Sequence, residues 1–134
     1  MFNGFFNIPE PKNEPVLSFT PGSRERAEIT ATLQDMIDNP VEVPIYIGGQ
    51  EVHSDTVVEM RCPHNLSQLL GSYHQAQADH ADAAIDAANA AKREWSEMPW
   101  DNRATVLLKA AELLAGKYRH VLNAATMLSM SKTC

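Results

Sequence analysis

Apolar and polar positions recur along this 134-residue chain with several different periods, and each change of period marks a change of element. Pro9, Pro11, Pro15 and Pro21 punctuate the start; each removes a backbone donor and biases its predecessor toward extended conformations, so residues 1–22 are predicted to be an extended arm. Ser23 then stands where a helix N-cap would. Ile29, Leu33, Met36 and Ile37 follow at i, i+4, i+7 and i+8, a single apolar stripe, and Asn39-Pro40 stops it, which predicts an amphipathic helix from about Ser23 to Asp38.

The period then shortens to two. In "VPIYIGGQEV" β-rich residues flank Gly48-Gly49, a pair suited to the positive φ angles of a tight hairpin turn. In "TVVEMRCPHN" Val58, Met60 and Cys62 alternate with Val57, Glu59 and Arg61, and Pro63-His64-Asn65 marks a turn before "QLLGSYHQA". A small antiparallel sheet is expected between about Pro44 and Ala76, with no parallel pairing, because no β-α-β alternation is visible. From Asp79, a candidate N-cap, the period returns to 3.6. Ala81, Ala84, Ile85, Ala88 and Ala91 line one face up to Trp95, and Pro99 breaks the helix. A further helix is expected from Asp101, burying Ala104, Leu107, Leu108, Ala111 and Leu114 and closing near Gly116 with a left-handed cap. A last one carries Tyr118, Val121, Leu122, Ala125 and Leu128. The fold class is α+β: an arm (1–22), a helix with a small antiparallel sheet (23–78), and three helices (79–134).

Composition narrows the function classes. A formal net charge of −6 disfavours broad contact with nucleic acid or anionic lipid, which needs clustered Lys and Arg. No apolar run reaches the roughly 20 residues needed to span a bilayer. Two cysteines, Cys62 and Cys134, cannot build a multi-bridge secreted scaffold, so a reducing compartment and a cytoplasmic location are expected. The closing "ATMLSMSKTC" is an apolar helical run, and the protein is expected to continue beyond Cys134.

Candidate chemistry is sparse. "SMSK" at Ser129–Lys132 matches the S-x-x-K of serine penicillin-binding enzymes but lacks the partner motifs, and Lys132-Thr133 lacks the glycine-rich context of a phosphate-binding loop. Gly48-Gly49 is a turn and not a dinucleotide fingerprint. Cys62 beside His64 fits a buried strand residue better than a nucleophile. His53, His74 and His80 show no ligand spacing, and the histidines are expected to be polar surface groups. Glu94, Glu97 and Asp101 are expected to serve helix ends, and Trp95 and Trp100 to pack around the interhelical turn. No catalytic, cofactor-binding or metal-binding residue is assigned.

"WSEMPWDNRATVLLKAAELLAGKYRHVLNAATMLSMSKT" resembles the helical lead-in of the aldehyde dehydrogenase superfamily. "NEPVLSFTPGSRER", "VPIYIGGQEV" and "PHNLSQLLGSYHQA" are similar to the amino-terminal region of its Δ1-pyrroline-5-carboxylate dehydrogenase family, also called L-glutamate γ-semialdehyde dehydrogenase. The resemblance implies the amino-terminal portion of an α/β fold several times longer. It implies NAD-dependent oxidation of glutamate γ-semialdehyde to glutamate in proline catabolism, through a cysteine nucleophile and a glutamate base that lie beyond residue 134. Neither Cys62 nor Cys134 matches the nucleophile motif, so the chain alone is expected to be inactive and to bind no NAD. An alternative is a non-catalytic module that docks on a full-length subunit or forms a homo-oligomer. In a eukaryote the family resemblance implies the mitochondrial matrix instead of the cytoplasm.

Overall fold

The computed structural model describes residues 9–134. The start of the arm, residues 1–8, lies outside the described residues, and residues 9–20 run without regular secondary structure. Helix α1 (Arg24–Asp38) begins where the Ser23 hydroxyl accepts the Arg26 amide at 3.2 Å, and ends where the Asn39 amide returns to the Asp35 carbonyl at 2.9 Å. Its predicted stripe faces inward: Ile29 is buried and Leu33, Met36 and Ile37 are half-buried. The arm crosses back near the other end of the chain, where the Phe19 ring meets His120 edge-on.

Five strands follow: β1 (Val41–Val43), β2 (Ile45–Ile47), β3 (Gln50–Val52), β4 (Val57–Cys62) and β5 (Asn65–His74). β2 and β3 form the hairpin expected around Gly48 and Gly49, whose φ angles of +58° and +79° are ones that side chains resist. β4 and β5 form a second antiparallel hairpin, with register shifts near Arg61 where it closes.

The expectation of a purely antiparallel sheet from Pro44 onward needs correction. β1 lies before Pro44 and pairs with β5 in parallel, giving a three-stranded sheet in the order β1-β5-β4. A parallel pair needs a long crossover. Here β2, β3 and β4 supply it in place of a helix. The pairing depends on Gly71, opposite Val41 with φ +151°, because a Cβ at that position would overlap the Val41 carbonyl oxygen.

Helices α2 (Ala78–Glu97), α3 (Trp100–Ala115) and α4 (Arg119–Met130) complete the chain. Asp79 is not the N-cap of α2. Gln77 holds that place, and its amide donates to His80 Nδ1 at 3.2 Å one turn on. Asp79 instead sits in the first turn beside His80, 3.1 Å away. Gly116 follows α3 but with φ −108°, so the expected left-handed cap is absent there; Ser131, φ +56°, provides one after α4.

The buried apolar residues among those described are Ile29, Cys62, Ala124 and Leu128, which places the core between α1, α4 and the end of β4. The burial expected along α3 does not occur: Leu107, Leu108 and Leu114 are 67%, 48% and 52% exposed. Among the described residues the main packing partner of α3 is α4, which leaves these three side chains open. Ala81, Ala84, Ile85, Ala88 and Ala91 of α2 are likewise exposed, although Ala87 approaches the Gly48 turn.

Candidate functional site

The sheet gathers polar chemistry at one end. Side chains two apart on a strand share a face, and Glu42 of β1 pairs with Ser72 of β5, two residues before His74. Glu42 and His74 therefore meet, with His74 Nε2 2.7 Å from Glu42 Oε1. On the other side of the ring, His74 Nδ1 lies 2.8 Å from the Ser54 carbonyl oxygen and 3.0 Å from the Ser54 amide. His53, just after β3, sets its ring edge-on to His74 at a centroid separation of 4.6 Å. One donor atom each from Glu42, His53 and His74 all fall within 4.8 Å of one another.

His74 is buried, whereas Glu42 and His53 are exposed, so the group opens to solvent on one side. The Glu42 carboxylate, with the Ser54 carbonyl second, raises the His74 pKa above its ordinary value, and the same contact lowers that of Glu42. The expectation that the histidines are surface groups is therefore corrected for His74. His80 and His120 are also largely covered, the latter 3.1 Å from Glu28. Sequence reading missed this cluster because its members stand 11, 21 and 32 positions apart on three segments. Only the fold brings them together.

A second polar contact joins β4 to α4. Cys62 Sγ donates to the Leu128 carbonyl at 3.3 Å and lies 3.3 Å from His64 Nδ1, which is 2.9 Å from Ser131 Oγ. Cys62 is 1% exposed, in keeping with a buried strand residue and closed to a substrate. Ser129 of the "SMSK" stretch donates to the Ala125 carbonyl within α4, so its hydroxyl is committed to the helix backbone. Trp95 and Trp100 are each nearly half exposed at the α2–α3 turn. Glu97 pairs with Arg93 at 3.0 Å. No helix among the described residues is long and apolar enough to cross a membrane.

Neither cluster resembles an aldehyde-oxidising centre, yet the chain as a whole has clear relatives. Delta-1-pyrroline-5-carboxylate dehydrogenase of Agaricus bisporus is 44% identical over 128 residues, covering 95% of this chain and 23% of the relative. The Danio rerio protein named delta-1-pyrroline-5-carboxylate dehydrogenase, mitochondrial, is 38% identical over 124 residues, 92% of this chain and 22% of that one. The crystal structure of the Mycobacterium tuberculosis delta-pyrroline-5-carboxylate dehydrogenase bound with NAD superposes with a TM-score of 0.90 at 38% identity, covering 95% of this chain and 24% of that one. The chain thus spans about a quarter of the length of the relatives it matches. The mixed sheet and the four helices match the amino-terminal part of that fold. With the aldehyde dehydrogenase family model matching residues 50–134 as well, the chain belongs to the aldehyde dehydrogenase family.

Proposed function

We propose that this chain supplies the opening scaffold of an NAD-dependent L-glutamate γ-semialdehyde dehydrogenase and that the chemistry belongs to residues outside these 134. The observation that carries this reading is the uncovered apolar face of α3 and α4. Leu107, Leu108, Leu114 and Leu122 are 67%, 48%, 52% and 45% exposed. Fully burying a leucine is worth about 1.5–3 kcal/mol, so covering four half-exposed ones yields roughly 3–6 kcal/mol. That is comparable with the whole stability of a small domain. The remaining three quarters of a relative's length would provide the cover.

The described residues do not fit NAD. Dinucleotide binding needs a glycine-rich turn at a helix N-terminus so that backbone amides reach the pyrophosphate. α1, α2, α3 and α4 open instead at Ser23, Gln77, Pro99 and Tyr118. Aldehyde oxidation also needs an accessible thiolate, and Cys62 is sealed beneath α4. The isolated chain is expected to show no NAD reduction with glutamate γ-semialdehyde and no saturable NAD binding by calorimetry. Co-expression with the remaining three quarters of a relative should restore NAD-dependent turnover. Turnover by the chain alone that survives removal of host dehydrogenases and vanishes in Cys62→Ser would overturn the reading. In a eukaryotic source, the mitochondrial name of the Danio rerio relative supports the matrix as the place of action.

A second reading is a module that docks on a full-length subunit. The outer strands favour it: β1 and β4 each present an unpaired edge, with Val41 54% and Val57 51% exposed. Co-purification with a full-length family enzyme supports docking, and a well-folded monomer at micromolar concentration that ignores that enzyme refutes it.

A further inference from the structure

We propose that Glu42, His53 and His74 bind a divalent transition-metal ion of the zinc class in the sheet region. Two imidazoles and one carboxylate are the donor set of open zinc sites, whereas calcium and magnesium prefer oxygen alone. The three donors come from β1, from the segment after β3 and from the end of β5, and all lie within 4.8 Å of one another. Ligands about 2.0–2.1 Å from a tetrahedral zinc are roughly 3.3 Å apart. The two exposed side chains, Glu42 and His53, can reach that spacing by small rotations, Glu42 withdrawing from its 2.7 Å contact, while the buried His74 stays fixed.

The surroundings of His74 bear on which nitrogen would take the ion. Nδ1 is engaged by Ser54, whose carbonyl oxygen lies 2.8 Å away and whose amide lies 3.0 Å away, and Nε2 faces Glu42 Oε1 at 2.7 Å. Nε2 is therefore the nitrogen turned toward a second donor of the group, and an ion there would take the place of the proton it shares with Glu42. A backbone carbonyl that holds Nδ1–H is the usual outer-shell support of a metal-binding histidine. The His53 ring, at 88° to that of His74, brings the third donor to the same side. The 60% exposed Glu42 side chain leaves an entry path and room for water at the fourth position. A bound ion would clamp β1 and the loop after β3 onto β5.

The test is calorimetric titration of Zn²⁺ into the 134-residue chain carrying Cys134→Ser, which removes the exposed thiol. We expect saturation at one ion per chain with micromolar or tighter affinity. His53→Asn and Glu42→Gln should each weaken it at least about tenfold, a loss of the size seen even for outer-shell changes. Co²⁺ substitution should give a tetrahedral absorption spectrum without thiolate charge-transfer bands. His74→Gln risks the fold because the residue is buried, so the exposed His53→Asn is the deciding variant. No saturable Zn²⁺ binding, wild-type affinity in His53→Asn, or a thiolate spectrum with Co²⁺ each refutes the site and leaves an ordinary His–Glu pair.

Discussion

Replacing Gly71 by alanine tests the parallel strand pair most directly. The Gly71 backbone sits at φ +151°, and a Cβ built there would overlap the Val41 carbonyl oxygen and lie 2.9 Å from Val41 N. Holding a side chain in such a conformation costs roughly 1–3 kcal/mol. The backbone overlap cannot be relieved by a rotamer change, so β1 must move away. That forfeits the ladder over Val41–Val43, a further 2–3 kcal/mol or so at about 1 kcal/mol per hydrogen bond. The expected sum is about 3–6 kcal/mol, enough to unfold much of a domain whose total is about 5–15 kcal/mol. Urea denaturation followed by circular dichroism reads the loss, and amide hydrogen exchange at Val41–Val43 reads its location. Glu42 rides on β1, so Zn²⁺ affinity should fall in the same variant. A Gly71→Ala chain within about 1 kcal/mol of wild type, with protected β1 amides, would show that the close approach is not structural.

Other expectations are quicker to check. Leu107→Gln should change the stability of the isolated chain by less than about 0.5 kcal/mol, since the side chain is 67% exposed, yet block complementation by the rest of a family enzyme. Titration with a disulfide reagent should label Cys134 at once and Cys62 only on unfolding; rapid labelling of both would contradict the seal formed by Leu128. The Arg24 guanidinium, 2.6 Å from Glu28 and aided by His120, lowers the Glu28 pKa below its ordinary value of 4.5. A carboxylate with a lowered folded pKa stabilises the fold above its unfolded pKa and loses that contribution as pH falls. Glu28→Gln should therefore flatten the decline of the urea midpoint below about pH 4.5, and an unchanged acid limb would show that this pair contributes nothing to acid stability.

What could be read from the sequence was whatever a short window contains. Ser23 with the Ile29, Leu33, Met36 and Ile37 stripe specifies α1 without help from elsewhere, and Gly48-Gly49 specifies its hairpin through backbone freedom alone. Val41-Glu42-Val43 is too short to show a period and follows Asn39-Pro40, so its parallel pairing is decided by Gly71, thirty residues on from Val41. His74 gives no local sign of its role because Glu42 and Ser54 reach it only through the sheet register. The leucine stripes of α3 were legible as stripes. Their exposure was not, since periodicity reports which face seeks cover and never whether cover is present.

The closure of the core by α1 and α4 has a consequence for synthesis on the ribosome. Ile29 shares a cavity wall with Asn123, Thr126 and Met127, and Cys62 is held by the Leu128 carbonyl. The stretch from α1 through β5 is translated well before α4, with α2 and α3 between them. At typical elongation rates of about 5–20 residues per second, the roughly 50 residues from the end of β5 to Leu128 take about 3–10 s. Throughout that interval the inner faces of α1 and β4 lack the helix that covers them in the finished fold.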